Sequence, residues 1–167
     1  MKKILILFII PVALIVGFYA LTAWKLPKDF KEVTFTISGK GATIHDKFIE
    51  YFGNEVRHDI DGDGEEDVVF LITERFADST RFYAVGALKR KTGYQGSQAV
   101  LLGTDIAPQT LEKGEGRMII FNYAERAAGE PRTTEPHIGR SIWLLLDKNM
   151  LEFGEVVQNF EGDGPRN

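Results

Sequence analysis

The chain has 167 residues, a formal net charge of −4 at pH 7, 44% hydrophobic residues and 26% charged residues. This composition is typical of a folded protein rather than a disordered one. The modestly acidic balance argues against a nucleic-acid partner, because proteins that bind nucleic acids present basic faces. The sequence contains no cysteine, which excludes a disulfide framework, a thiolate zinc site and a cysteine nucleophile.

An uncharged N-terminal segment is the strongest signal in the sequence. Residues 4–24 contain no charged side chain, and Lys2 and Lys3 precede them. A helix of about 20 apolar residues crosses the hydrocarbon core of a bilayer, which is roughly 30 Å thick. The short basic tail favours an N-terminus in the cytoplasm, because lysine and arginine are retained on that side. We therefore predict that residues 1–24 form a single-pass anchor in the cell membrane, with the rest of the chain outside the cytoplasm.

A cleaved signal peptide is the alternative for the same segment. The apolar region of a signal peptide is usually about 7–15 residues long, which is shorter than residues 4–24. The best cleavage position follows Ala23, but Leu21 then stands where a small residue is required. We therefore expect the leader to be retained, and we expect residues 25–32 to link it to the domain.

Strand patterns recur along residues 33–160, which we expect to form one β-rich domain. Residues 33–37 alternate apolar and polar side chains, as a half-buried strand does. Residues 68–73 are apolar on both faces, which is typical of a strand covered on two sides. Four further segments have strand composition: residues 81–88, 99–102, 117–123 and 141–146. This spacing predicts a mainly β fold, either an antiparallel sandwich or a barrel-like sheet, with or without a short helix; an α+β fold is the alternative.

Several segments between these strands have a less definite pattern. In residues 42–52, apolar side chains fall at helical spacing, but the second half equally suits a strand, which we favour. Glycines in residues 93–96 and 113–116 predict turns. Residues 124–140 contain two glycines and two prolines, and we expect them to form a long loop. The C-terminal tail, residues 161–167, is expected to fray.

An acidic loop in residues 59–67 is the chemical centre of the sequence. Aspartates at alternate positions of a tight, glycine-containing loop can turn their carboxylates inward. Calcium takes six to eight oxygen ligands at about 2.3–2.6 Å, and clustered carboxylates repel one another unless a cation lies among them. The pattern therefore predicts a calcium site. Its expected ligands are the side chains of Asp59, Asp61, Asp63 and Asp67 and the backbone carbonyl of Glu65.

The spacing of the acidic residues distinguishes this loop from an EF-hand. An EF-hand requires a bidentate glutamate at its twelfth position, where this sequence has Phe70. The pattern D-x-D-G-D-G-x-x-D, followed directly by a strand, is similar to the calcium loops of integrin-type β-propeller repeats. A single copy cannot build a propeller, so only the loop is shared. The alternative to a metal site is an acidic turn that binds no ion.

Residues 51–131 contain a set of short motifs that resemble those of a known group of proteins. The motifs are residues 51–55, the loop 59–67, Phe82-Tyr83, residues 93–96, 102–103, 106–110 and 122–126, and residues 129–131. By these motifs the sequence resembles a group of small exported bacterial proteins of uncharacterised function. That group usually has asparagine where Asp61 stands and serine where His137 stands. The resemblance implies a membrane-linked exported domain and implies no activity.

The sequence pattern contains no clear catalytic constellation. His58 adjoins the acidic loop, where we expect a solvated side chain. His137, Ser141 and Glu135 could form a Ser–His–acid set, but the G-x-S-x-G nucleophile turn is missing. We therefore expect a non-enzymatic, calcium-stabilised module with an envelope or recognition role, whose protein or glycan ligand the sequence does not identify. The alternatives are an exported hydrolase with an unrecognised site and an accessory subunit of a membrane complex.

Overall fold

The computed structural model describes residues 25–157, so the predicted anchor and the predicted C-terminal tail lie outside the described residues. Within that range the chain is mainly β, as expected, and its one helical element is a single 3-10 turn at Phe30–Glu32. No helix in the same range is long and apolar enough to cross a membrane. The strands are β1 (Phe35–Ile37), β2 (Lys40–Ala42), β3 (Ile49–His58), β4 (Asp67–Arg75), β5 (Thr80–Arg90), β6 (Gly93–Gly96), β7 (Val100–Thr104), β8 (Ala107–Lys113), β9 (Ile119–Glu125), β10 (Ile138–Asp147) and β11 (Glu152–Glu155).

The strands of residues 25–157 form three sheets. The larger sheet has the order β3-β4-β5-β6, and β7 also pairs with β5. The smaller sheet has the order β11-β10-β9-β8, and β1 and β2 form a separate hairpin. The paired strands are antiparallel, and most partners are consecutive in the chain. Short connections between neighbouring strands favour this arrangement.

A shared hydrophobic core joins the larger sheet to the smaller one. The larger sheet contributes Leu71 and Phe82, and the smaller sheet contributes Phe121, Leu144 and Leu146. All of these side chains are buried. Each such side chain that is removed from water stabilises the fold by about 1.5–3 kcal/mol. This cluster is therefore the main source of cohesion between the two sheets.

The opposite face of the larger sheet is covered by the N-terminal part of the domain. Val68, Phe70 and Ile72 of β4 are fully buried in a second cluster, to which Phe35 of β1 also belongs. Phe30 packs against Phe70, with ring centroids 5.5 Å apart. This third layer explains why β4 is apolar on both faces. The covering elements are the β1–β2 hairpin and the segment with the 3-10 turn, rather than an α-helix.

The same N-terminal segment runs along the edge strand β6. The N–H of Tyr94 donates to the carbonyl of Pro27 at 2.8 Å. A Cβ atom at Gly93 would lie 2.3 Å from the carbonyl oxygen of Pro27, and one at Gly96 would lie 2.2 Å from that of Thr34. The predicted turn from Gly93 to Gly96 is therefore wrong, because these residues form β6. The glycines permit a close backbone contact, which is a common reason for glycine inside a strand.

Other differences from the sequence prediction follow from local structure. Residues 42–52 contain no helix, and their second half begins β3, as we favoured. The N–H of Thr43 donates to Asp46 Oδ2 at 3.0 Å, which closes a turn rather than capping a helix. Three strands, β2, β8 and β11, were absent from the prediction. Strand β8 lies at a sheet edge, contains Pro108 and buries only Leu111, so it lacks the apolar alternation of a half-buried strand.

Strands β9 and β10 extend into the segment predicted to be a long loop. Ile138 of β10 pairs with Glu125 of β9, which leaves residues 126–137 as the loop. The turn predicted at residues 113–116 is confirmed as the connection between β8 and β9. Gly129, Pro131 and Pro136 therefore lie in the loop as predicted, whereas Gly139 and both ends of the segment belong to the strands.

Candidate metal centre

The acidic loop connects the end of β3 to the start of β4. Its backbone turns at Gly62 and Gly64, whose φ angles of 79° and 90° are disfavoured for residues with a side chain. Asp59 holds the turn closed, because its Oδ1 accepts the N–H of Gly62 at 2.7 Å and its Oδ2 accepts the N–H of Gly64 at 3.0 Å. The loop is therefore ordered by its own first carboxylate.

Three carboxylates converge inside this loop. Asp59, Asp61 and Asp67 each offer an oxygen, and these oxygens all lie within 4.8 Å of one another. Asp61 is only 7% exposed, and Asp67 is fully buried. Oxygens that bind one calcium ion at about 2.3–2.6 Å lie no more than roughly 5 Å apart. The three oxygens therefore fit the first coordination sphere of one cation of this size.

Asp67 is the most deeply buried member of the group. Its Oδ1 accepts the N–H of Lys89 at 2.7 Å, and its Oδ2 accepts the N–H of Ile60 at 3.1 Å. Burial raises the pKa of Asp67 to about 6; the two backbone N–H groups oppose this shift, and the charges of Asp61 and Asp63 add to it. A carboxylate oxygen has two lone pairs, so these hydrogen bonds leave a further lone pair on each oxygen for a cation.

The other two predicted ligands lie nearer the surface. Asp63 is exposed; its Oδ1 accepts the N–H of Glu65 at 2.9 Å, and its Oδ2 lies 3.3 Å from Arg90 Nη1. Glu65 and Glu66 are also exposed. The structure thus brings together three of the four predicted aspartates and pairs the fourth with an arginine.

Arg90 is the residue of this site that the sequence pattern did not reveal. Its Nη1 donates to Asp61 Oδ2 at 2.8 Å and to Asp63 Oδ2 at 3.3 Å, and its Nε donates to Gln95 Oε1 at 3.1 Å. The guanidinium reaches the loop because β5 extends beyond the paired start of β4. The only signal in the sequence is a basic run at residues 89–91, and its place beside the loop depends on strand register.

Two further contacts tie the loop to the smaller sheet. His58 Nε2 donates to the carbonyl of Gly116 at 2.6 Å, and Arg117 Nη1 donates to the carbonyl of Ile60 at 3.3 Å. Gly116 and Arg117 lie in the connection between β8 and β9. His58 is half-buried at the end of β3, so the expectation of a solvated loop histidine is wrong. These contacts restrict the movement of the loop from outside the larger sheet.

The members of the hypothetical Ser–His–acid set do not come together. Ser141 Oγ donates to Asn122 Oδ1 at 2.6 Å, and both groups are on strands of the smaller sheet. His137 Nδ1 donates to the carbonyl of Glu135 at 3.1 Å, and its Nε2 lies 3.7 Å from Glu130. Within residues 25–157, no hydrogen bond joins the histidine to the serine. Their geometry therefore offers no support for nucleophilic chemistry.

An open pocket lies at the other end of β4 from the acidic loop. It has a volume of about 630 Å³, and its lining includes Phe52, Phe76 and Asp105. A neighbouring pocket of about 430 Å³ shares Asp105 and is lined in part by Arg132. Arg132 Nη2 lies 3.4 Å from Asp105 Oδ2, so opposite charges are paired here. The region combines exposed aromatic rings with neutralised charges.

Comparisons of the chain with protein-family models, with curated proteins and with solved structures find no match. The resemblance to small exported bacterial proteins therefore stays a prediction.

Proposed function

We propose that this protein is a membrane-anchored module whose extracytoplasmic β domain is stabilised by calcium bound in residues 59–67, with a recognition or structural role in the cell envelope. The observation that carries the proposal is the convergence of Asp59, Asp61 and Asp67 within 4.8 Å. The anchor is supported by the uncharged sequence of residues 4–24. A non-enzymatic role is favoured because the candidate serine and histidine have separate partners.

The donor atoms favour calcium over other common cations. All the converging atoms are carboxylate oxygens, which are the hard ligands that calcium and magnesium prefer. Zinc sites usually include histidine or cysteine, and the nearby His58 is bound to the carbonyl of Gly116 instead. Magnesium requires near-octahedral geometry at about 2.0–2.1 Å and usually keeps several waters. A loop with two largely buried aspartates suits the more adaptable coordination of calcium.

Calcium at this position would stabilise the fold, because its ligands adjoin the core strands. Asp67 is the first residue of β4, and the five residues that follow it are fully buried. A ligand that binds only the folded state adds about 2.7 kcal/mol to the free energy of unfolding at 100 times its Kd. The cation would therefore fix the entry of the chain into its most buried strand.

The test is thermal unfolding of the full-length protein in detergent after a chelator has removed bound metal. Millimolar calcium chloride should raise the melting midpoint by several degrees, and magnesium chloride should raise it less. The full chain is required because Pro27 and Phe30, close to the predicted anchor, contact the larger sheet. Identical melting curves with chelator and with calcium would contradict the calcium site.

A matched pair of variants assigns the calcium response to the loop. Asp61→Ala removes one of the converging carboxylates and should abolish most of the calcium-induced shift. Glu66→Ala removes the same charge from an exposed position of the same loop and should retain the shift. Equal responses of the two variants would mean that the cation binds elsewhere.

Membrane attachment is tested separately by the intact mass of protein purified from the membrane fraction. A retained leader gives the mass of the whole chain, and the protein should require detergent for release. A mature chain that begins at Trp24 would show that the leader is cleaved and would contradict the anchor. The calcium measurement does not depend on this outcome.

A further inference from the structure

A guanidinium group already compensates part of the charge of the acidic loop. Arg90 Nη1 lies 2.8 Å from Asp61 Oδ2 and 3.3 Å from Asp63 Oδ2. Because Asp61 is only 7% exposed, this ion pair is screened less by solvent than a pair at the surface. The fold itself therefore supplies a positive charge at this position.

The carboxylate that holds Arg90 also belongs to the group that would bind calcium. Asp61 offers one of the three converging oxygens, together with Asp59 and Asp67. Its Oδ2 receives the guanidinium, and its Oδ1 accepts the N–H of Asp63 at 3.2 Å. Two cations that share one carboxylate repel each other strongly in a partly buried site. Calcium and the guanidinium therefore oppose each other at Asp61.

Arg90 has space to move away from the loop. Its side chain is 27% exposed and lines an open pocket of about 570 Å³, together with Asp63 and Lys91. Arg90 belongs to neither buried hydrophobic cluster, so rotation of its side chain into this pocket disturbs no core contact. The bonds from Nε to Gln95 Oε1 at 3.1 Å and from Nη1 to the carbonyl of Lys89 at 2.9 Å are the remaining restraints on its position.

From these contacts we propose that Arg90 and calcium are alternative counter-cations of the acidic loop, and that Arg90 sets the calcium affinity by competing for Asp61. This inference rests on the calcium site proposed above. At low calcium the guanidinium neutralises Asp61 and Asp63, while Asp59 holds the loop closed. At higher calcium the metal takes Asp61, and the guanidinium moves toward the open pocket. The domain thus stays folded in both states, and the arginine fixes the calcium concentration at which they exchange.

The test is calorimetric titration of the full-length, metal-stripped protein in detergent with calcium chloride. Arg90→Gln keeps a hydrogen-bond donor but removes the charge, and it should lower the Kd for calcium about tenfold. Lys91→Gln is the matched control, because it removes the same charge from an exposed side chain of the same pocket. Its Kd should stay within about twofold of the parent value, as expected for a screened surface charge. A Kd of Arg90→Gln that is no lower than the parent value, or an equal change in both variants, would overturn the proposal.

Thermal melting in chelator measures how much Arg90 stabilises the protein when no calcium is bound. Arg90→Gln should melt below the parent in chelator, because Asp61 then loses its charged partner. The difference should shrink or reverse in excess calcium, because the metal replaces the lost charge. An Arg90→Gln variant that melts like the parent in chelator would show that Arg90 is not the counter-cation of the loop.

The outcomes separate this inference from the calcium site on which it rests. If the parent protein binds calcium and Arg90→Gln binds it no more tightly, only the competition is refuted. If neither the parent nor any variant binds calcium, the site and the competition are both refuted. If Arg90→Gln fails to fold, Gln95→Ala decides the matter, because it releases Arg90 Nε without changing any charge. That variant should lower the Kd about fivefold, as expected for the loss of one hydrogen bond, and an unchanged Kd would overturn the proposal.

Discussion

The two ends of the paired strands β4 and β5 differ in which side chains are buried. At the end that carries the acidic loop, Asp67 is fully buried and both of its oxygens accept backbone N–H groups. At the opposite end, which we call the aromatic end, Phe48 is 56% exposed and Phe76 is 43% exposed. One ladder of hydrogen bonds thus has a buried carboxylate at one end and solvent-facing phenylalanines at the other.

Neighbouring elements explain the difference between the two ends. The connection between β8 and β9 reaches the acidic loop through Gly116 and Arg117 and supplies it with hydrogen bonds. The aromatic end is bordered instead by the open pockets, and Arg81 lies over the ring of Phe76, 4.5 Å from its centroid. Stability should therefore be concentrated in the strand centre and at the acidic loop, whereas the aromatic end should tolerate substitution.

The largest expected contrast is between two phenylalanines, one inside β4 and one at the aromatic end. Phe70→Ala should lower the free energy of unfolding by about 3–5 kcal/mol, because removal of this ring leaves a cavity. The ring is fully buried between Phe30 and Tyr51. Phe76→Ala should lower the same quantity by less than about 1 kcal/mol. Urea unfolding of the two full-length variants measures both values, and similar losses would mean that the aromatic end is as constrained as the core.

Replacement of the buried carboxylate should have the next largest effect. Asp67→Ala leaves the N–H groups of Ile60 and Lys89 without their acceptor, so it should lower the free energy of unfolding in chelator by about 2–4 kcal/mol. Glu66→Ala, its exposed neighbour, should change it by less than about 0.5 kcal/mol. Equal values for the two variants in urea unfolding would show that water satisfies the two N–H groups.

The pH dependence tests the same carboxyl group without removing it. Burial raises the pKa of Asp67 from 3.8 to about 6, so the folded state binds this proton more tightly than the unfolded chain does. The resulting stabilisation is fully present below pH 3.8 and is lost as the pH rises through about 6. In chelator, lowering the pH from about 7 to about 5 should therefore add on the order of 1 kcal/mol to the free energy of unfolding.

Two comparisons test whether Asp67 causes this pH dependence of stability. Asp67→Asn should remove it, and a trend that persists unchanged in this variant would belong to another group. Saturating calcium should weaken or reverse the trend in the parent protein, because metal binding requires deprotonated carboxylates. Thermal melting at each pH, with chelator and with calcium, gives all of these values.

The smallest expected effect concerns the loop between β9 and β10. His137 is exposed, so His137→Ala should change the free energy of unfolding by less than about 0.5 kcal/mol. Arg126→Ala in the same loop is the contrast, because Arg126 Nη1 donates to the carbonyl of Asp105 at 2.8 Å. Its loss should be about 1–2 kcal/mol. A loss on His137→Ala as large as that on Arg126→Ala would mean that the histidine is part of the fold.

The features that the sequence predicted correctly depend on neighbours along the chain. The continuous apolar run of residues 68–73 requires burial on two sides, and it forms the centre of β4. The closure of the acidic loop is equally local, because Asp59 bonds the N–H groups of Gly62 and Gly64. Composition and spacing were sufficient in both cases, since the partners lie within a few residues of each other.

The features that escaped prediction depend on partners that are distant in the chain. Arg90 reaches Asp61 only because of the register between β4 and β5. Gly93 is explained by the approach of Pro27, and its spacing alone resembles that of a turn. Strand β8 is mostly exposed, so it carries little of the apolar periodicity from which strands are predicted.

The hydrogen bond from Tyr94 to Pro27 determines how the domain would stand on a membrane. Only residues 25 and 26 separate this contact from residue 24, and an extended chain spans at most about 3.6 Å per residue. If residues 4–24 cross a bilayer, the domain is mounted within roughly 10 Å of the surface and cannot swing freely. The acidic loop would then lie at the end of β5 nearer the bilayer, because Tyr94 pairs with Lys89 at that end. Strand β5 rises about 3.3 Å per residue, so the aromatic end would lie up to roughly 30 Å farther from the bilayer than the acidic loop. The two ends of the domain would then have different surroundings as well as different chemistry.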